Sequence, residues 1–174
     1  MRKLLVVVDM QNDFIDGALG TPEAVAIVEN VKEKIRGYAA GDIFVTMDTH
    51  APDYLSTQEG RNLPVEHCIT GSMGWLVRRD IAELLDGARV YEKPTFGSTA
   101  LAKDIAAIAA EEDIEIEIIG LCTDICVVSN ALLLKANMPE VKISVDPACC
   151  AGVTPESHEA ALKTMQMCQI QINN

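Results

Sequence analysis

Apolar positions along the chain alternate between two rhythms. Lys3 to Val8 is an almost unbroken run of leucine and valine that stops at Asp9, the pattern of a strand covered on both faces. After a polar loop from Met10 to Gly20, Thr21-Pro22-Glu23 opens a helix with a capping hydroxyl and a proline in the first turn. Val25, Ile27, Val28, Val31 and Ile35 supply its apolar stripe, and Gly37 or Gly41 ends it. Ile43 to Met47 repeats the strand pattern and stops at Asp48. Ala51 to Gly74 has little apolar period, Trp75 to Leu85 returns to helical spacing, and Ala88 to Tyr91 is a short strand running into Glu92-Lys93. Ser98 to Ala110 reads as an alanine-rich helix capped by Ser98 or Gly97.

The period then changes sharply. Ile114, Ile116 and Ile118 alternate with Glu115 and Glu117 as in a strand that ends at Gly120, and Thr123 or Asp124 caps a helix carrying Val127, Val128, Ala131, Leu132 and Leu134. Val141 to Val145 is a further strand ending at Asp146, and Thr154-Pro155 opens a helix through about Cys168. Five or six strands alternating with helices predict an α/β fold in three layers, a doubly wound, mostly parallel sheet flanked by helices, with residues 1–174 as a single domain. In such sheets ligands bind outside the carboxyl ends of the strands. Asp9, Asp48, Lys93 and Cys126 all follow strand ends, so independent strands bring two carboxylates, an amine and a thiol to one edge.

Composition narrows the classes of function. The chain of 174 residues is long enough to bury a core without staples, and its six cysteines include no C-x-x-C pair. No basic run followed by an apolar stretch and a cleavage site precedes Val6, so reduced thiols in a cytoplasm are expected. The apolar runs are too short to span a bilayer, and a formal net charge of −12 repels phosphate backbones and anionic lipid. The expected partner is therefore neither nucleic acid nor membrane.

Cys126 lies in the first turn of the helix expected after Gly120, where the helix dipole and unpaired N–H groups favour a thiolate. A nearby carboxylate takes a thiol proton and returns it to a leaving group, and an ammonium holds both in register, the roles open to Asp9 and Lys93. Taken singly, each residue has a commoner use: a packed small hydrophobe, a turn cap and a solvated amine. Asp48 and His50 share one strand tip, and His67 from the long loop would complete a set of one carboxylate and two imidazoles with positions left open. Loop histidines are more often ordinary polar residues, and His158 on the final helix is expected to be one at the surface or in packing.

The sequence resembles the isochorismatase-like cysteine hydrolases, and within them the nicotinamidases, across nearly its full length. The resemblance rests on VVVDMQNDF at Val6 to Phe14, DTH at Asp48 to His50, HCITGSMG at His67 to Gly74, EKPTFGS at Glu92 to Ser98 and GLCTDICV at Gly120 to Val127, with PACCAG and SHEAALKTM following. It implies Asp9 as catalytic acid and base, Lys93 as the lysine and Cys126 as the nucleophile, with a cis peptide at Leu121-Cys122 that helps aim backbone N–H groups at an oxyanion. It implies a divalent metal, zinc, manganese or iron, on Asp48, His50 and His67, with Glu59 as a further ligand. Phe14 and Phe96 match wall positions around a pyridine ring, whereas Leu63 stands where an aromatic residue is usual. The implied reaction is hydrolysis of nicotinamide to nicotinate and ammonia through a thioester, a step of pyridine nucleotide salvage and NAD biosynthesis, by a chain that forms a homo-oligomer in some relatives. Leu63 keeps open a related hydrolase of another small amide or an enol ether. A non-catalytic metal- or ligand-binding module and a structural zinc protein remain rivals from other classes; the Asp9, Lys93 and Cys126 set argues against the former and the ample core against the latter.

Overall fold

Leu4 to Val8 lose all contact with solvent, because β1 (Arg2–Val8) lies inside a sheet with helices on both faces. The structure is a computed structural model describing residues 1–173; residue 174, the last of the expected domain, lies outside the described residues. The other strands are β2 (Ile43–Asp48), β3 (Arg89–Lys93), β4 (Ile114–Leu121), β5 (Lys142–Ala151) and β6 (Gln171–Ile172). Among the described residues they form one six-stranded parallel sheet in the order β3-β2-β1-β4-β5-β6, as the alternation of elements predicts. Strand order reverses between β1 and β4, so the crevice outside their carboxyl ends is the topological switch point where ligands bind in such sheets. Asp9 follows β1 and Cys126 follows β4.

Alternate side chains of β1 divide the core in two. Leu4, Val6 and Val8 pack with Leu101 and Ile105 of α6 (Thr99–Ala109), Ala131 and Leu134 of α7 (Val128–Asn137), and Leu162 and Met165 of α8 (Pro155–Met167). Leu5 and Val7 pack on the other face with Ile15 of α1 (Asn12–Ile15), Ala24 of α2 (Pro22–Ala26), Val28, Val31 and Ile35 of α3 (Val28–Arg36), and Ile81 of α5 (Arg79–Ala82). A short helix, α4 (Gln58–Asn62), lies within the long loop after β2. No helix among the described residues is long and apolar enough to cross a membrane.

Several elements differ from the sequence-based expectations. The single helix expected after Thr21 is two, α2 and α3, broken at Ile27; Thr21 does cap the first by accepting from the Ala24 N–H, but Val25 is exposed. The helix expected over Trp75 to Leu85 shrinks to α5, because Val77 bridges to Gln11 and the Trp75 indole donates to Thr49, which hold the preceding chain extended. The strand expected to stop at Asp146 runs on to Ala151, since Cys150 and Ala151 pair with Gly120 and Leu121 beyond an irregularity in the β4–β5 register. Gly120 sits at φ +117, and a Cβ there would lie 2.1 Å from the Val8 carbonyl oxygen, so only glycine lets β4 approach β1 at this point.

Neither Thr123 nor Asp124 caps the following helix. Thr123 to Val127 forms a π-helical turn that leads into α7, with the Cys122 carbonyl accepting from the N–H groups of Ile125 and Val127. The Thr123 hydroxyl instead meets His158 Nδ1 at 2.8 Å, and the Asp124 carboxylate accepts from the Val153 N–H. Both side chains are thus spent tying the turn to the start of α8.

Candidate active site

Three strand ends deliver Asp9, Lys93 and Cys126 into one buried cluster. Asp9 has φ +48, a left-handed conformation that an aspartate tolerates better than most residues, and it is fully buried. Its Oδ1 accepts from the Thr46 hydroxyl at 2.6 Å. Its Oδ2 lies 2.7 Å from Lys93 Nζ, a buried ion pair. Lys93 Nζ also lies 3.5 Å from Cys126 Sγ and 3.3 Å from Asp48 Oδ1. An ammonium held between two carboxylates and a sulfur is a buried charge that remains paired.

The electrostatics correct one expectation from the sequence. A cysteine in the first turn of a helix should favour thiolate, but Cys126 is only 4% exposed and sits inside the π-helical turn. Burial first, then the Asp9 charge, push its thiol well above the ordinary value, with the Lys93 ammonium opposing them. Burial likewise raises the Asp9 carboxyl against the pull of Lys93. Burial alone would lower Lys93, but the charges of Asp9, Cys126 and Asp48 hold it above its usual range. Burial and the Asp9 charge thus favour the thiol over the thiolate, and burial makes the Asp9 carboxylate more basic than an exposed aspartate.

Asp48 joins this cluster to a second one. Its Oδ2 meets His50 Nε2 at 2.9 Å and His67 Nε2 at 3.4 Å, while Glu59 Oε1 lies 3.7 Å and 3.8 Å from the same two nitrogens. Donor atoms of Asp48, His50, Glu59 and His67 all fall within 4.8 Å of one another. Burial would raise Asp48, but hydrogen bonds from His50 and His67 and the Lys93 charge hold its carboxyl well below the usual range. The other nitrogen of His67, Nδ1, donates to the Val65 carbonyl at 2.8 Å, which turns Nε2 toward the carboxylates. Imidazole nitrogens and carboxylate oxygens at these separations attract one another only through a shared proton or a metal cation. Two imidazoles and two carboxylates suit a divalent ion of borderline softness, so the residues fit the metal that the sequence resemblance implies.

Supporting contacts come from residues that sequence reasoning missed. Gln11 is fully buried, donates to the carbonyls of Asp48 and Trp75 and accepts from the Asp48 N–H, fixing the backbone that carries Asp48. Tyr54 packs its ring 4.7 Å from His50 and 4.9 Å from His67 and donates to the Leu63 carbonyl at 2.9 Å. Asn130, also fully buried, joins the turn at Cys126 to the loop after Lys93. The available signal was a polar side chain inside an apolar stretch, as for Thr46 in IFVTM and Asn130 four residues beyond Cys126.

The expected wall residues are divided. Phe14 is buried with its ring edge-on to His67 at 5.6 Å, whereas Leu63 and Phe96 are 38% and 41% exposed. Leu121 is buried and its peptide to Cys122 is cis. Glu59 depends on close backbone packing, because a Cβ on neighbouring Gly60 would come within 2.0 Å of the Tyr54 carbonyl oxygen. Gly60→Ala should therefore force α4 off Tyr54 and destabilise the protein by about 1–3 kcal/mol, read as a lower urea midpoint. An unchanged midpoint would mean that α4 is not held by this contact.

The family model of the isochorismatase domain matches residues 3–173. No curated protein sequence matches significantly. Among solved structures, a nicotinamidase/pyrazinamidase of Bacillus subtilis is 26% identical with a TM-score of 0.84, and the match covers 100% of both chains. A pyrazinamidase of Pyrococcus horikoshii in complex with zinc is 27% identical with a TM-score of 0.79, covering 100% of this chain and 99% of the other. An N-carbamoylsarcosine amidase of Thermoplasma acidophilum is 29% identical with a TM-score of 0.75, covering 100% of this chain and 96% of the other.

Proposed function

The chain belongs to the isochorismatase family, and we propose that it is a metal-dependent cysteine amidohydrolase that converts nicotinamide to nicotinate and ammonia. The observation that carries this reading is the shared Lys93–Asp48 contact, which sets an acid, amine and thiol cluster directly beside a four-residue metal-ligating set. The zinc complex of the Pyrococcus relative supports a metal in the second cluster. A divalent ion held by Asp48, His50, Glu59 and His67 would supply a Lewis-acidic seat for a ring nitrogen.

In this reading Asp9 Oδ2 takes the Cys126 proton as sulfur bonds to the amide carbon, and the carbonyl electrons move onto oxygen. The N–H groups of Cys122 and Cys126 donate to that oxyanion. Protonated Asp9 then gives its proton to the amide nitrogen, the carbon–nitrogen bond breaks and ammonia leaves. Asp9 next takes a proton from water as it attacks the thioester, and returns it to Cys126 sulfur when the carbon–sulfur bond breaks. Throughout, the Lys93 ammonium balances the charge that passes between Asp9 and sulfur. Phe14, Phe96 and Leu63 line the ring's surroundings. The same reading places the whole chain in one catalytic domain working in the cytoplasm, in a homo-oligomer as in some relatives.

A second reading is favoured by Leu63, an exposed aliphatic side chain where an aromatic wall is expected, and by the likeness to an N-carbamoylsarcosine amidase. It assigns the same chemistry to an acyclic N-carbamoyl substrate. Ammonia release by the purified protein from nicotinamide, benzamide and N-carbamoylsarcosine, before and after chelation, separates the two. The first reading expects chelator-sensitive release from nicotinamide and at least about tenfold less from benzamide, which lacks the ring nitrogen. Release from the carbamoyl compound alone would establish the second, and release from none with metal bound would overturn both.

A further inference from the structure

Asn130 is the fully buried polar side chain whose three hydrogen bonds span two elements of the site. Its Nδ2 donates to the Cys126 carbonyl at 2.8 Å and to the Phe96 carbonyl at 3.1 Å, and its Oδ1 accepts from the Ser98 N–H at 2.9 Å. Ser98 in turn caps α6 by accepting from the Leu101 N–H. The segment from Lys93 to Ser98 is thus pinned at one end by the Lys93 ion pairs and at the other by a single amide on the nucleophile's own helix. Phe96 lies within this span, with its ring exposed and its backbone held.

We infer that Asn130 is a positioning residue that sets the separation between the Phe96 side of the pocket and the Cys126 thiol, and through it the size of amide the site accepts. It touches no substrate atom; it acts through the backbone of Phe96, Ser98 and Cys126. An amide is required because one side chain must donate twice and accept once. A hydroxyl at the same place still donates back to the carbonyl four residues earlier, but reaches neither Phe96 nor Ser98. The two functions of Asn130 are therefore separable by substitution. The inference about substrate size rests on the amidohydrolase reading, while the clamp itself does not.

Asn130→Thr, Phe96→Ala and their double variant, all metal-loaded, test it by two readouts. The first is the rate at which iodoacetamide alkylates Cys126, followed by site-resolved mass spectrometry, which needs no turnover. The second is kcat and KM for nicotinamide. Asn130→Thr should raise the alkylation rate about fivefold and KM about tenfold with kcat within about threefold. Phe96→Ala should do the same, and the double variant should exceed Phe96→Ala by less than about twofold, because Asn130 acts through Phe96. Asn130→Asp, which keeps the acceptor for Ser98 and loses both donors, should lower kcat as well. Independent, multiplying effects in the double variant, or alkylation unchanged in Asn130→Thr, would overturn the clamp. Wild-type protein inert toward nicotinamide would instead count against the nicotinamide reading, with the alkylation series still deciding the role of Asn130. If Asn130→Thr does not fold, Asn130→Asp and Phe96→Ala carry the same comparison.

Discussion

Cys126→Ala should abolish ammonia release from nicotinamide, by about 10⁴-fold or more, while the protein still binds the amide when followed by calorimetry. The loss is large because the proposed route passes through a covalent bond to this sulfur, and no other thiol has the same neighbours. Cys68 is buried and its thiol is raised by burial and by surrounding carboxylates, and Cys122 is likewise pushed up to about 12 by burial and by Asp124. Neither stands within hydrogen-bond distance of Lys93, as Cys126 does. The substitution itself is mild, since deleting one buried heavy atom costs on the order of 1 kcal/mol. A folded Cys126→Ala protein that retains turnover within tenfold of wild type would remove the nucleophile from the proposal.

Asp9→Asn should lower kcat by about 10²–10⁴-fold, the range expected when a general acid and base is lost. The amide keeps an oxygen to accept from Thr46 but has no carboxylate to take the thiol proton. It also leaves Lys93 with Asp48 as its remaining carboxylate, at 3.3 Å. Removing one partner of a buried pair costs about 3–5 kcal/mol, and the surviving contact places this case toward the lower end. Urea unfolding alongside kinetics separates the two effects: a destabilised variant with full activity would show that Asp9 serves the fold alone, and a folded variant without activity supports the proton-transfer role.

The interior strands β1 and β2 were legible because burial on both faces of a parallel sheet leaves continuous apolar runs, and those runs stopped at Asp9 and Asp48 where the site begins. Convergence at the sheet edge followed from topology alone, which is why Asp9, Lys93 and Cys126 were found together. The candidate metal site at Asp48, His50, Glu59 and His67 needed the family resemblance, since D-x-H spacing with a distant histidine is common in loops. What stayed hidden was the work of residues acting on backbone rather than on other side chains. Gln11, Tyr54 and Asn130 hold carbonyls and N–H groups that carry no sequence of their own. The π-helical turn was missed for a related reason: Thr123 and Asp124 have the chemistry of caps, and only the placement of His158 and Val153 shows that both are engaged elsewhere.

The position of Lys93 bears on how the sheet assembles. β3 is an edge strand that pairs with β2 alone, and of its five residues only Lys93 is fully buried, with Tyr91 half-buried against Phe44 as its one apolar anchor. In the native pairing Asp48 lies opposite Lys93 and Met47 opposite Glu92. A slip of one residue would set Glu92 opposite Asp48 and withdraw the ammonium from between Asp9 and Asp48, leaving buried carboxylates facing one another. That penalty adds to the packing of Tyr91 on Phe44 in discriminating against misalignment. A shift in register therefore costs buried charge pairing as well as apolar contact, so the same ammonium that faces the thiol also favours one alignment of the edge strand.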